Sequence, residues 1–319
     1  MTTQAVSLEP GDDAPVYPSL SPSRAADFKT CPLLYRFRTI DRLPETPSPD
    51  QARGTLVHAV LERLFDLPAA ERTAAAASDL VAPEWARMVD EVPELADLFD
   101  TDPPTLIDVR EVTVAPAGAT LGPDAVEVRR PWTTDEFLAS ARGLLSGYFS
   151  VEDPRRLEPA ERETLISAVV DDQLLIRGYI DRLDVSPDGA LRVVDYKTGG
   201  APREAFEARA LFQLKFYALV LWRTRGVVPR VLRLLYLKDQ EVCDYSPDAE
   251  ELARFERTLV ALWQAIERAK EAKEFRPKPS RLCGWCAHQA VCPAFGGTPP
   301  PFPAPREPVA EVLTPGADE

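Results

Sequence analysis

The stretch Gly178-Tyr-Ile-Asp181-Arg-Leu-Asp184, the turn Pro187-Asp188-Gly189, and Val193-Val-Asp195-Tyr-Lys197-Thr-Gly199 constrain this 319-residue chain more than any other feature. A three-residue loop ending in a left-handed glycine is a common hairpin closure. It pairs Ser186 with Ala190 and, continued outward, sets Asp181 opposite Asp195. Cross-strand partners share a face with Cβ atoms roughly 5 Å apart. Asp195 and Lys197 share that face too, because strand side chains alternate with period two. Two carboxylates and a lysine are therefore expected to meet at one end of a sheet, provided that no bulge intervenes.

The flanking sequence supplies the sheet and its cover. Runs 164–170, 173–185, 191–197 and 231–238 have strand composition. Residues 203–225 and 247–273 carry long helical patterns. A further helix over 52–67 places Leu56, Ala59, Val60 and Leu64 on one face, projects His58, and has Gly54 near its start for a close backbone approach. Ser21-Pro22-Ser23 starts a helix that Cys31-Pro32 interrupts. Residues 69–99 are Ala-rich and helical, punctuated by Pro83 and Pro93. Residues 106–114 and 124–130 have short β-like patterns, and Thr133-x-x-Glu136 is a capping box for a helix to about residue 149. This order predicts one α/β domain over 19–296, with a mixed central sheet flanked by helices and an insertion at 68–155. Residues 1–18 and the Pro-rich, acidic 297–319 read as disordered tails.

The net charge of −14 argues mildly against general polyanion binding. Its distribution matters more. Arg24, Lys29, Arg36, Arg38 and Arg42 outnumber the acids of 19–43, and Arg268, Lys270, Lys273, Arg276, Lys278 and Arg281 outnumber those of 264–290. No apolar run approaches the ~20 residues that span a bilayer. The acidic N-terminus has no secretory apolar region. A cytoplasmic location is expected.

Paired carboxylates repel one another, and a divalent cation resolves this; oxygen ligands suit Mg²⁺ or Mn²⁺. Such an ion can hold a phosphate oxygen and acidify a water. Lys197 would then orient that water or stabilise charge on phosphate oxygens. Gln213 and Tyr217, spaced i, i+4, share one helix face. They form either a polar packing edge or a support for the lysine or a nucleic-acid backbone. Glu161 and Glu163, on the strand approach, are further carboxylates that could support the site from outside its ligands. A lone helical histidine such as His58 is more often packed than ligating.

Taken together, Gly54-Thr-Leu-Val-His58, Gly178-Tyr-Ile-Asp181-Arg-Leu-Asp184, Asp195-Tyr-Lys197-Thr-Gly199 and Gln213-x-x-x-Tyr217 resemble the PD-(D/E)XK nuclease superfamily. The closer resemblance is to RecB- and AddB-type exonuclease domains and their stand-alone relatives. The resemblance implies metal binding by His58, Asp181 and Asp195 and a catalytic Lys197, with Gln213 and Tyr217 in support. It implies a Mg²⁺- or Mn²⁺-dependent deoxyribonuclease, an exonuclease on single-stranded DNA or DNA ends in repair or recombination. Two rivals stay open: a non-catalytic DNA-binding scaffold working with a helicase, and an endonuclease of CRISPR adaptation. The chain has no Walker-type phosphate loop, so any unwinding must come from a helicase partner.

Five cysteines in a cytosolic chain are not expected to form disulfides. Cys283-x2-Cys286-x5-Cys292, with Cys31 far upstream, can bind zinc or a [4Fe–4S] cluster. The one-plus-three pattern resembles the iron–sulfur staple of AddB-like and CRISPR-adaptation nucleases, which implies a clamp joining the chain's two ends. Trp285, Tyr35 and Phe37 can stack on single-stranded bases or pack around that cluster, the second being expected for Trp285. Cys243 reads as a small apolar residue.

Overall fold

A computed structural model describes residues 17–99, 132–201 and 207–303. The β-like patterns expected at 106–114 and 124–130, the start of the helix expected at 203, and most of both terminal tails lie outside the described residues.

Six strands form one mixed sheet: β1 (Ser19–Leu20), β2 (Glu161–Val170), β3 (Leu174–Val185), β4 (Leu191–Lys197), β5 (Val231–Tyr236) and β6 (Glu241–Tyr245). The order is β1-β3-β4-β5-β6, with β2 also pairing β3. β4 and β5 run parallel, joined by a helical crossover, whereas β2–β3, β3–β4 and β5–β6 are antiparallel. The expected hairpin register holds: Ser186 N–H donates to Ala190, and Arg182 lies opposite Val194. Gly189 takes the left-handed conformation the turn needs (φ 81°). Strands β1 and β6 are too short and polar to stand out from sequence. Both are fixed by pairing with a longer neighbour.

Each face of the sheet has its own core. One is covered by α1 (Pro22–Thr30), α6 (Glu207–Arg225) and α7 (Ala249–Ala272). Phe216, Leu219 and Leu221 of α6 are buried, as expected of a helix sandwiched between a sheet and a second helix layer. Each such side chain contributes about 1.5–3 kcal/mol. The other face is covered by α3 (Pro49–Leu64), α4 (Ala74–Glu91) and α5 (Thr134–Val151), whose apolar stripes meet Val194, Tyr196, Leu235 and Leu237. Ser48 and Gln51 form a capping box that starts α3 three residues before the expected 52. Pro83 lies inside α4 rather than ending it. The short helix α2 (Pro32–Tyr35) continues as a π-helical turn, Arg36–Asp41. Residues 297–303 pack on the core: Phe302 stacks on Phe275, and Pro300 accepts a hydrogen bond from Arg36 at 2.5 Å. None of the described helices is long and apolar enough to cross a membrane.

Candidate active site

The regular ladder fails at one place. Strands β2 and β3 pair at every position from Glu161↔Leu183 to Val170↔Leu174 except Glu163 opposite Asp181. Glu163 has φ 42°, a left-handed conformation that is uncommon outside glycine. The alternation of faces flips there. Ile180 and Leu183, three residues apart, both enter the α6-side core, while Arg182 turns to the other face against Tyr196. Likewise Glu161 pairs with Arg225 of α6 at 2.5 Å, and Arg162 with Asp66 beyond α3 at 2.9 Å. The bulge-like kink leaves Glu163 and Asp181 at the junction of the two faces.

His58 arrives from α3 at that junction. Its Nδ1 lies 3.5 Å from Asp181 Oδ2 and 3.6 Å from Glu163 Oε1. Its Nε2 is 2.9 Å from the Tyr196 carbonyl oxygen, which can only accept, so Nε2 carries the proton of the neutral ring. The Nδ1 lone pair then faces the two carboxylates. Asp181 Oδ2 also accepts the Tyr196 backbone N–H at 2.8 Å. Asp195 is 1 % exposed, and neither carboxylate oxygen makes a hydrogen bond. Lys197 Nζ approaches Oδ2 of Asp195 to 2.5 Å, an ion pair outside hydrogen-bonding alignment.

A support chain runs back from the lysine. Lys197 Nζ donates to Gln213 Oε1 at 3.0 Å, and Gln213 Nε2 donates to the Tyr217 hydroxyl at 2.9 Å. Gly178 makes room for Tyr217: a Cβ there would lie 2.8 Å from its ring. The six residues His58, Asp181, Asp195, Lys197, Gln213 and Tyr217 are thus brought together. Sequence reasoning kept Glu163 outside the ligand set. Its signal was the β2–β3 register, which sets it opposite Asp181 once the turn is counted as Asp171-Asp172-Gln173.

The electrostatics reflect negative charge concentrated at this junction. Burial, then repulsion from Asp195, pushes the Asp181 carboxyl up to about 7. Burial disfavours the His58 imidazolium, yet Asp181, Glu163 and Asp195 outweigh it and raise the group to about 9. Burial likewise opposes the Lys197 ammonium, and Asp195 outweighs it, so the lysine stays charged at neutral pH. Ligating atoms of His58, Glu163 and Asp181 lie mutually within 4.8 Å, and the buried Asp195, whose oxygens lack hydrogen bonds, stands outside that group. This donor set fits a divalent ion.

Cys31, Cys283, Cys286 and Cys292 line one cavity of about 230 Å³ between α1–α2 and the C-terminal turns. Backbone N–H groups of Lys278 and Ser280 donate to the sulfurs of Cys31 (3.4 Å) and Cys283 (3.3 Å). Burial, then the neighbouring thiols, raises the Cys286 thiol despite a backbone hydrogen bond near His288. The sulfurs are not drawn into a tight group, since no three lie mutually within 4.8 Å. A tetrahedral zinc would hold them about 3.8 Å apart. None of the five cysteines is in a disulfide, and Cys243 sits on β6 against the core. His288 bonds Glu45 at 2.6 Å.

Trp285 and Phe37 both line the cysteine cavity. Tyr35 and Phe37 are 4 % and 2 % exposed and belong to the core, out of reach of bases, whereas Trp285 is 82 % exposed at the cavity rim.

Residues 19–293 match the sequence profile of the PD-(D/E)XK nuclease superfamily. The "Gene 69 protein" of Mycobacterium phage L5 is 25% identical over 300 residues, covering 89% of this chain and 99% of the relative. Its counterpart in Mycobacterium phage D29 is 26% identical over 290 residues, covering 87% and 97%. Among solved structures, the "Putative exonuclease" from Eubacterium rectale shares the fold with a TM-score of 0.50 at 11% identity, covering 84% of this chain and 86% of that one.

Proposed function

The chain belongs to the PD-(D/E)XK nuclease superfamily, and we propose that it is a Mg²⁺- or Mn²⁺-dependent DNA exonuclease of the RecB/AddB type, acting on single strands or duplex ends in repair or recombination. The observation that carries this reading is the meeting of His58, Glu163 and Asp181 near the buried Asp195 and its partner Lys197. Residues His58, Asp181 and Asp195, with Glu163, would hold the cation. When bound, it neutralises phosphate charge and acidifies water. His58 would ligate through Nδ1, because its Nε2 proton is committed to Tyr196. Lys197 keeps its proton on Nζ and stabilises charge developing on phosphate oxygens, while Gln213 and Tyr217 fix its position. Exposed Trp285 would stack on bases of a bound single strand.

We place the nuclease domain at 19–296, with 68–155 inserted between α3 and the sheet. We assign Cys31, Cys283, Cys286 and Cys292 to a [4Fe–4S] cluster that ties the two ends of the domain. The shared cavity and the N–H···S hydrogen bonds support it. Iron and sulfide analysis of anaerobically purified protein tests this assignment; stoichiometric zinc without iron contradicts it. The protein is placed in the cytoplasm, with any unwinding left to a helicase in trans.

The test of the main reading is Mn²⁺-dependent degradation of 5′- and 3′-labelled DNA by the wild type, Lys197→Ala and Asp195→Ala. Both variants are expected to fold and lose cleavage. Undiminished cleavage by either sinks the assignment.

A further inference from the structure

Tyr196 sets the geometry of the candidate metal site through its backbone. Its backbone N–H is hydrogen-bonded to Asp181 Oδ2 (2.8 Å), and its carbonyl accepts from His58 Nε2 (2.9 Å). One residue's two peptide groups thus orient two expected ligands from different elements. The β3–β4 ladder has ended by then, its last pair being Arg182↔Val194, so no strand partner on that side fixes those groups.

The side chain does the fixing. The Tyr196 ring is enclosed edge-on by the rings of His58 (5.8 Å) and Tyr148 (5.9 Å). Its hydroxyl accepts from Arg182 Nη1 at 2.9 Å. Arg182 is wholly buried and stacks between Phe65 and Tyr196, its Cζ 5.6 and 5.7 Å from the ring centres. Its guanidinium forks onto Glu152, the residue that caps α5, at 2.6 and 2.9 Å, and onto Asp184 at 3.1 Å for each bond. Glu152 is held in turn by the Tyr148 hydroxyl at 3.1 Å. Burying such an ion pair costs about as much as it returns, so stability alone is a weak reason for it. Geometry is a better one: a planar fork with five donors defines a single position for what it holds.

We propose that Arg182, fixed by Glu152, is a positioning residue for the metal centre and acts through Tyr196. The segment 68–155 then contributes to catalysis through Glu152. This inference rests on the reading of His58 and Asp181 as ligands.

The test is calorimetric Mn²⁺ titration of the metal-free full chain, with thermal melts, for the wild type, Tyr196→Phe, Glu152→Gln and His58→Ala. Tyr196→Phe keeps the ring and the ion pair and removes only the hydroxyl, so it decides the matter even where Glu152→Gln fails to fold. Supporting ligands of this kind typically change metal affinity by ~10- to 100-fold. A rise of that size in Kd for Tyr196→Phe, with cleavage recovered at high Mn²⁺, supports the proposal. Wild-type Mn²⁺ affinity in a folded Tyr196→Phe, beside lost affinity in His58→Ala, overturns the positioning role and leaves the metal reading standing. Wild-type affinity in His58→Ala overturns both.

Discussion

Glu163 stands directly opposite Asp181 at the one position where the β2–β3 ladder is interrupted, and its left-handed backbone (φ 42°) turns its carboxylate toward His58. A non-glycine residue held there costs of order 1–3 kcal/mol, and such strain gathers at functional sites. The expected outcome is that Glu163→Gln weakens Mn²⁺ binding and slows cleavage by at least ~10- to 100-fold, since loss of a ligand should cost no less than loss of an outer-shell partner. Glu161→Gln, which touches only the exposed Arg225 pair, should leave both unchanged. Equal behaviour of the two variants in titration and cleavage assays would rule out a role for Glu163.

How far this site could be read in advance depends on which interactions built each part. Asp181, Asp195 and Lys197 were legible because a short turn and period-two alternation are local rules, and the register followed from Ser186 and Ala190. Glu163 was not, since its place depends on a three-residue turn in which both Asp171 and Asp172 have positive φ. Lys197 and Gln213, by contrast, lie on different elements and meet only through tertiary packing. Strand β6 is defined by its neighbour, not by its own pattern. The fates of Tyr35 and Trp285 were set by burial, which composition near a basic segment does not reveal.

Metal binding should depend steeply on pH. Without metal, His58 is raised to about 9 and Asp181 to about 7, so near pH 7 the site holds a proton on the imidazole and part of another on the carboxyl. Ligands must be deprotonated to bind, so metal displaces these protons. The sign follows: affinity for Mn²⁺ rises with pH between about 6 and 9, and binding near pH 7 releases protons. Calorimetry in buffers of different ionisation enthalpy measures that release. Affinity constant over this range would contradict the ligand assignment.

The relay behind Lys197 predicts a different signature. Gln213→Ala removes the acceptor that orients Nζ without touching the donors around His58. Cleavage at saturating Mn²⁺ should fall by ~10-fold or more, as expected when a positioned charge is loosened by even a small displacement. Mn²⁺ affinity should hold. Tyr217→Phe, one bond further out, should have the smaller effect. A Gln213→Ala defect that more Mn²⁺ restores would place Gln213 with the metal rather than the lysine.

Gly178→Ala should destabilise the fold. The added methyl would lie 2.8 Å from the Tyr217 ring and 3.2 Å from Pro22, inside a packed core with no flexible chain end to yield. Overpacking of this kind costs typically ~1–3 kcal/mol. A lowered melting temperature measures it, and an unchanged melt would show that α6 can shift away from β3.

Trp285 offers a prediction in which stability and binding separate. Its side chain is 82 % exposed, so Trp285→Ala removes almost no buried surface and should melt as the wild type does. Basic residues Arg281 and Lys278 stand on the same segment and supply charge for a phosphate backbone. Stacking of one base on an aromatic ring is worth ~1–3 kcal/mol. Single-stranded DNA affinity, followed by tryptophan quenching in the wild type and by anisotropy of labelled DNA in both proteins, should therefore fall by ~5- to 150-fold in the variant. Phe37→Leu is the control, because Phe37 is core: it should lower the melting temperature and leave affinity of the folded protein intact. Affinity lost in Phe37→Leu but kept in Trp285→Ala would return the stacking role to the upstream aromatic segment.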